Sequence, residues 1–366
     1  MLEGIDKSGR VPFAVTDPER IPAQRYYDEE FYKRECQRLW PHVWQMACRL
    51  EQIPNDFDDN AAPLRDYIGP LAEKLDQYQV DKLRAEWWYA TVLPANWKIA
   101  MEAFMEGFHV QRTHPQLHAA TPANFNSMYG QNPAEISQPI NPRATVRENI
   151  RSQLRLLELL SEGMAGMCHA KDVDVARSLL DVELPGDPAE AVMTWYGMLN
   201  HEVTRQGRAR GEPTPDLDAL AVTHPVKAVE FIFPHYFLLP SLSSMSSYRI
   251  RPLGPETCLF ELWSLTLFPE GKEPQAPLAP MMLPYDSDKF PPIPRQDYFN
   301  IPRQQIGLHA KGFEFMRLAK DVEGLISNYQ RLIDGYPQGI EIDKLGKATA
   351  SLGSNFGPIL GLGLEP

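Results

Sequence analysis

The chain has 366 residues, 36 Lys and Arg against 48 Asp and Glu, and a formal net charge of -12 at pH 7, which excludes nucleic acid and anionic membrane surfaces as electrostatic partners. Its length suffices for one large domain or two modest ones with a real core, and no apolar run approaches the roughly 20 residues that span a bilayer. The N-terminal MLEGIDKSGRVPFAV lacks the basic start and apolar core of a secretory signal, so a cytoplasmic location is expected.

RYYDEEFYKRECQRLW (residues 25–40) has helical spacing and an acidic start that suits a helix N-terminus. APLRDYIGPLAEKLDQY (62–78) predicts two helices interrupted by Gly69-Pro70, and the aromatic, β-branched LRAEWWYATVLP (83–94) predicts a strand. Residues 147–165 and 188–208 read as helices. The runs AVEFIFP, YFLLPSLSSMSSYRIRPLG and TCLFELWSLTLFP follow as strands, separated by turn signals such as Leu253-Gly254-Pro255-Glu256. KEPQAPLAPMMLPYDSDKFPPIPRQ (272–296) is too rich in proline for a regular helix or a central strand and predicts a long loop over the fold. A closing helical stretch is expected from about 307 to 335, with an irregular glycine-rich tail from Gly353. Helices interleaved with an antiparallel meander make the fold class α+β, a sheet wrapped by helices. Cys36, Cys48, Cys168 and Cys258 are scattered, with no C-x-x-C pair, so reduced and mostly buried thiols are expected.

The chemistry concentrates in NWKIAMEAFMEGFHVQRTHPQLH (96–118). Glu102, Glu106 and His109, spaced by four and three, would share one face of a helix. His109 and His114 are five apart, roughly 140° on a regular α-helix, and converge only if the helix widens or ends between them. Pro115 directly after His114 is consistent with an ending. Two imidazoles and one carboxylate around an open metal face suit a non-haem Fe(II) oxygenase, and Glu102 and Glu106 are candidate acceptors for the ring N–H groups. The pair His114 and His118, four apart, is a competing zinc site, but Pro115 stands where the H-E-x-x-H pattern of zinc proteases needs glutamate.

Asn96-Trp97-Lys98, Glu102, Glu106-Gly107-Phe108-His109 and Thr113-His114-Pro115 together resemble the signature of Rieske ring-hydroxylating oxygenase large subunits, N-W-K-x-x-x-E-N-x-x-[DE]-x-[YF]-H-x-x-x-x-H-P. Ala103 departs from that pattern, which has Asn there. The resemblance implies a helix-grip (START-like) catalytic domain with a mononuclear Fe(2+) held by His109, His114 and a late carboxylate that opens a helix. Asp321, in a context similar to the family's E-D-x-E-x-x-x-x-x-Q segment, is the expected third ligand, although Gln330 falls one residue beyond that spacing; Glu323 and Asp334 are the reserves. Glu106 takes the place of the acidic residue that links a neighbouring subunit's Rieske cluster to the iron. Met101, Phe104, Met105 and Phe108 are the expected pocket residues.

The resemblance further implies an N-terminal segment over residues 1–57, an iron domain over 58–366, and a Rieske domain missing near residues 56–60. A [2Fe-2S] cluster of that type needs C-x-H and C-x-x-H, and none of the four cysteines lies in either. Electrons would come from outside, through a ferredoxin and reductase, into a homotrimer that in this family can include a small beta subunit. The expected reaction is hydroxylation or demethylation of an apolar, aromatic or polycyclic substrate with O2. The alternative is a non-enzymatic helix-grip module that binds a hydrophobic ligand, or a truncated inactive oxygenase.

Overall fold

The computed structural model describes residues 11–47, 63–120, 140–164, 166–223, 229–352 and 358–364. A short strand, β1 (Arg20–Pro22), leads into α1 (Glu29–Arg34), where the Asp28 carboxylate accepts from the Phe31 amide at 2.7 Å and caps the first turn. The helix then widens to a π-turn over Glu35–Leu39, so the helix expected at 25–40 is present but starts late. Gly69 adopts φ +57, a conformation that favours glycine, and separates α2 (Leu64–Ile68) from α3 (Leu71–Gln77) as its sequence predicts. β2 (Arg84–Leu93) is the expected strand.

Asn96 caps α4 (Trp97–Glu102), its side-chain oxygen accepting from the Lys98 amide; α5 (Phe108–Thr113) and α6 (Pro115–Ala120) follow. The long helices α7 (Val146–Met164) and α9 (Pro188–Ala209) match expectation, whereas α8 (Ala170–Ser178) and α10 (Leu217–Thr223) are additions to it. The strands are β3 (Glu230–Ile232), β4 (Tyr236–Ser241), β5 (Ser244–Gly254), β6 (Thr257–Thr266) and β7 (Met281–Met282). YFLLPSLSSMSSYRIRPLG is therefore a hairpin rather than one strand: Ser241 pairs with Ser244 across a two-residue turn in which Leu242 has φ +48. The sheet order is β3-β4-β5-β6-β2-β7, antiparallel except for β7, which joins β2 in parallel.

Three further elements close the chain order after α11 (Pro292–Leu308): β8 (Phe315–Arg317), which pairs with β1, then α12 (Gly324–Gln338) and α13 (Ile342–Leu352). Here the sequence expectation fails twice. The proline-rich segment does open a helix, because Pro292 at the first helical position lacks only an N–H that would be unpaired anyway. The stretch 307–335 is not one helix, since α11 ends at Leu308 and Asp321–Glu323 form the turn before α12.

Helix α11 lies against α4, α5 and α7, and α4 also contacts β5 and β6. Between them sits a core whose aromatic centre includes Phe104, Phe237, Tyr248, Phe260 and Tyr298. The architecture is α+β, as expected. The described part of the N-terminal segment belongs to the same body: Arg25 pairs with Asp334 of α12 at 2.7 Å and Glu35 with Lys98 of α4 at 2.8 Å, both pairs buried. The boundary at residue 57, the break at 56–60 and Cys48 lie outside the described residues. Cys168 and Cys258 are buried free thiols, while Cys36 is free and exposed.

Candidate metal centre

The sequence spacing places Glu102, Glu106 and His109 on one helix, but the structure interrupts that helix between α4 and α5. The interruption gives Glu106 its position. Its carboxylate accepts from the Phe108 amide and, at 3.0 Å, from the His109 amide, so it neutralises the open N-terminus of α5. The same carboxylate lies 2.8 Å from Nδ1 of His109 and takes that ring's N–H, which leaves Nε2 as the free ligand atom. α5 then ends at His114 (φ -118, ψ 62), and Pro115 starts α6. This is the ending that the five-residue His spacing requires, and the two rings meet with centroids 5.6 Å apart at 80°.

His114 is buried between two residues of α11. Its Nδ1 lies 2.7 Å from Gln296 Oε1 and its Nε2 lies 3.0 Å from Asp297 Oδ1. Burial alone would lower the His114 pKa, but the Asp297 carboxylate and the Gln296 amide outweigh it and raise it above the ordinary histidine value. His109, His114 and Asp297 present ligand atoms within 4.8 Å of one another, the one such group of three or more among the described residues. Two imidazoles and a carboxylate, each imidazole with its remote nitrogen held by an acceptor, fit a divalent iron.

The acidic residue that the structure brings to the two histidines is Asp297, not the expected Asp321. Asp321 is exposed in the turn before α12 and does not reach the histidines. Glu323 caps that same turn by accepting from the Ala319 amide at 2.6 Å, and Asp334 is committed to Arg25. The segment 317–336 runs back to β1 and the N-terminal helix, whereas α11 is the late helix that passes α5. A signal for Asp297 was available: the family pattern puts its glutamine eight positions after its aspartate, which is the spacing from Asp297 to Gln305. His118 is not in the group either, so the competing zinc pair is not assembled.

Of the two acidic acceptors expected for the ring nitrogens, only Glu106 serves. Glu102 is buried under α4, where it accepts from the Tyr26 hydroxyl at 2.8 Å and from the Gln330 amide, and burial pushes its carboxyl up to about 7. Gln296, which the sequence did not mark, takes the second place.

His109, His114 and Asp297 form one wall of an apolar cavity of about 80 Å³. Phe104, Leu156, Met164, Leu239, Tyr248 and Ile293 are among its other walls. Phe104 is thus the one expected pocket residue that lines it. Met101 on α4 and Met105 in the break after it are fully buried in the core, and Phe108 is 42% exposed.

A model of the ring hydroxylating alpha subunit (catalytic domain) family matches residues 80–338. No curated protein matches the chain. Among solved structures, the apo form of the quaternary ammonium Rieske monooxygenase CntA is 14% identical, with 77% of this chain and 56% of that chain covered and a TM-score of 0.36. The same enzyme in complex with its substrate L-carnitine is 15% identical, with 76% and 56% covered and a TM-score of 0.38. The chain spans a little over half the length of these structures.

Proposed function

Because the chain belongs to the ring hydroxylating alpha subunit (catalytic domain) family, we propose that it holds one iron between His109, His114 and Asp297 and oxygenates an apolar, aromatic substrate with O2 and externally supplied electrons. The observation that carries this is the convergence of those three side chains on a cavity whose other walls are almost entirely apolar. Bound iron in such a set supplies dioxygen activation at its open face.

The protein's own residues set the conditions. Glu106 fixes the orientation of His109, and Phe104 and Leu239 offer only carbon surface to the cavity. Glu106 is 13% exposed and touches His109 directly, so we assign to it the link to a neighbouring subunit's [2Fe-2S] cluster. That assignment goes with a cyclic homotrimer, with or without a small beta subunit, fed by a ferredoxin and its reductase.

Elemental analysis of the purified protein tests the ligand set. One iron per chain is expected in the wild type and in Asp321→Ala, and little in His109→Ala, His114→Ala and Asp297→Ala. Iron retained in Asp297→Ala but lost in Asp321→Ala would overturn the assignment.

A further inference from the structure

The two histidines are held by chemically different acceptors. His109 Nδ1 faces the Glu106 carboxylate, whereas His114 Nδ1 faces the side-chain amide of Gln296. Gln296 stands directly before Asp297, where the family pattern carries glutamate, so one α-helical turn supplies both a ligand and the group behind another ligand. Gln296 is itself braced. Its Oε1 accepts from Gln116 Nε2 at 2.8 Å, and its Nε2 donates to Gln116 Oε1 at 3.2 Å. Gln116 lies two residues beyond His114, in the first turn of α6. The amide pair therefore ties α6 to α11 across the imidazole that both elements hold.

We infer that Gln296, braced by Gln116, is a positioning residue for the metal centre: it holds the Nδ1–H of His114 and so aims Nε2 at the point shared with His109 and Asp297. The physical reason is that an imidazole ligand must keep its proton on the remote nitrogen, and only an acceptor there fixes both the tautomer and the ring angle. An amide oxygen accepts without a full negative charge, so the centre has one charged and one neutral acceptor behind its two histidines. A neutral pair also suits the place, because His114 already has Asp297 beside it in a buried wall. The inference rests on the ligand set proposed above.

Cobalt(II) titration followed by its visible bands tests both and separates them. The full chain is compared with Gln296→Leu, Gln296→Glu, Gln116→Leu and His109→Ala. High-spin cobalt also shifts the exchangeable ring N–H protons of its histidine ligands far from the rest of the proton spectrum, and two such signals are expected in the wild type. Gln296→Leu should bind cobalt about 10–100-fold more weakly, the usual cost of losing such an acceptor, and should lose one of the two signals to solvent exchange. Gln296→Glu should restore the signal and most of the affinity, and Gln116→Leu should weaken binding less than Gln296→Leu does. A merely structural role for Gln296 would leave both N–H signals in place. Unchanged affinity with both signals present in Gln296→Leu overturns the inference while the ligand set stands. A wild type with no saturable cobalt site, or one that persists in His109→Ala, overturns the ligand set and the inference with it.

Discussion

Glu102 and Glu106 are four residues apart, yet the helix break between them sends their carboxylates into opposite environments. Glu106 sits at a helix N-terminus with three N–H groups around it. Glu102 is enclosed by Tyr26 and Gln330, with the nearest cations, Lys98 and Arg25, already paired to Glu35 and Asp334. Desolvation therefore dominates and raises its pKa from 4.5 to about 7. The sign of the consequence follows from linkage. Below the unfolded value the carboxyl is protonated in both states; between about 4.5 and 7 only the unfolded chain gives up the proton, so stability falls as pH rises. The loss across that window is on the order of 3 kcal/mol, at about 1.4 kcal/mol for each pKa unit. Glu102→Gln removes the titration. Urea unfolding at pH 5 and pH 7.5 should show the variant gaining on the wild type at the higher pH, and parallel pH dependence in the two proteins would refute the Glu102 assignment.

At the scale of elements, the sequence was most legible where periodicity and turn chemistry act locally. The Gly69-Pro70 break, the strand after it and the two long helices all follow from patterns a few residues wide. The first half of the metal centre was legible for the same reason, since His109 and His114 lie on one short segment with Pro115 to end the helix. The carboxylate that joins them was not. Asp297 stands 183 residues beyond His114, behind five prolines counted from Pro280, and composition there argues for a loop. What overrides composition is packing: α11 crosses α7 closely enough that a Cβ on Gly163 would lie 2.7 Å from Ile293 Cδ1 and 2.8 Å from its Cγ1. Ile293 lines the cavity and precedes Asp297 by one helical turn, so this close crossing sets where the carboxylate falls. Two helical glycines give the test. Gly197 on α9 meets nothing within 4 Å, so Gly197→Ala should stabilise by about 0.5–1 kcal/mol through helix propensity alone. Gly163→Ala should reverse the sign and destabilise by about 1–3 kcal/mol, because the added methyl overpacks the crossing. Thermal midpoints that rise in both variants would show that α7 and α11 are not in tight contact.

At the scale of the whole molecule, two tasks divide. The side chains proposed to hold a metal against an apolar cavity all belong to this chain. β1 pairs with β8, Arg25 reaches Asp334 and Glu35 reaches Lys98, so the N-terminal segment is tied to α4 and α12. Delivering electrons is a separate task, and the 366 residues contain no C-x-H or C-x-x-H with which to hold a Rieske cluster. Oxygenation with O2 consumes two electrons, whereas hydrogen peroxide already holds oxygen at that level: R–H and H2O2 give R–OH and H2O with no outside reductant. The purified chain with iron should therefore form hydroxylated product from peroxide and an aromatic substrate panel. With NADH, a reductase and a ferredoxin in place of peroxide it should not sustain turnover. The peroxide product should vanish in His109→Ala and Asp297→Ala, which remove proposed ligands while leaving the apolar walls in place. Sustained NADH-driven turnover by the chain with those donors alone would mean that an electron route bypasses the Rieske cluster. Product that persists undiminished in His109→Ala would trace the chemistry to free iron rather than to the site between α5 and α11.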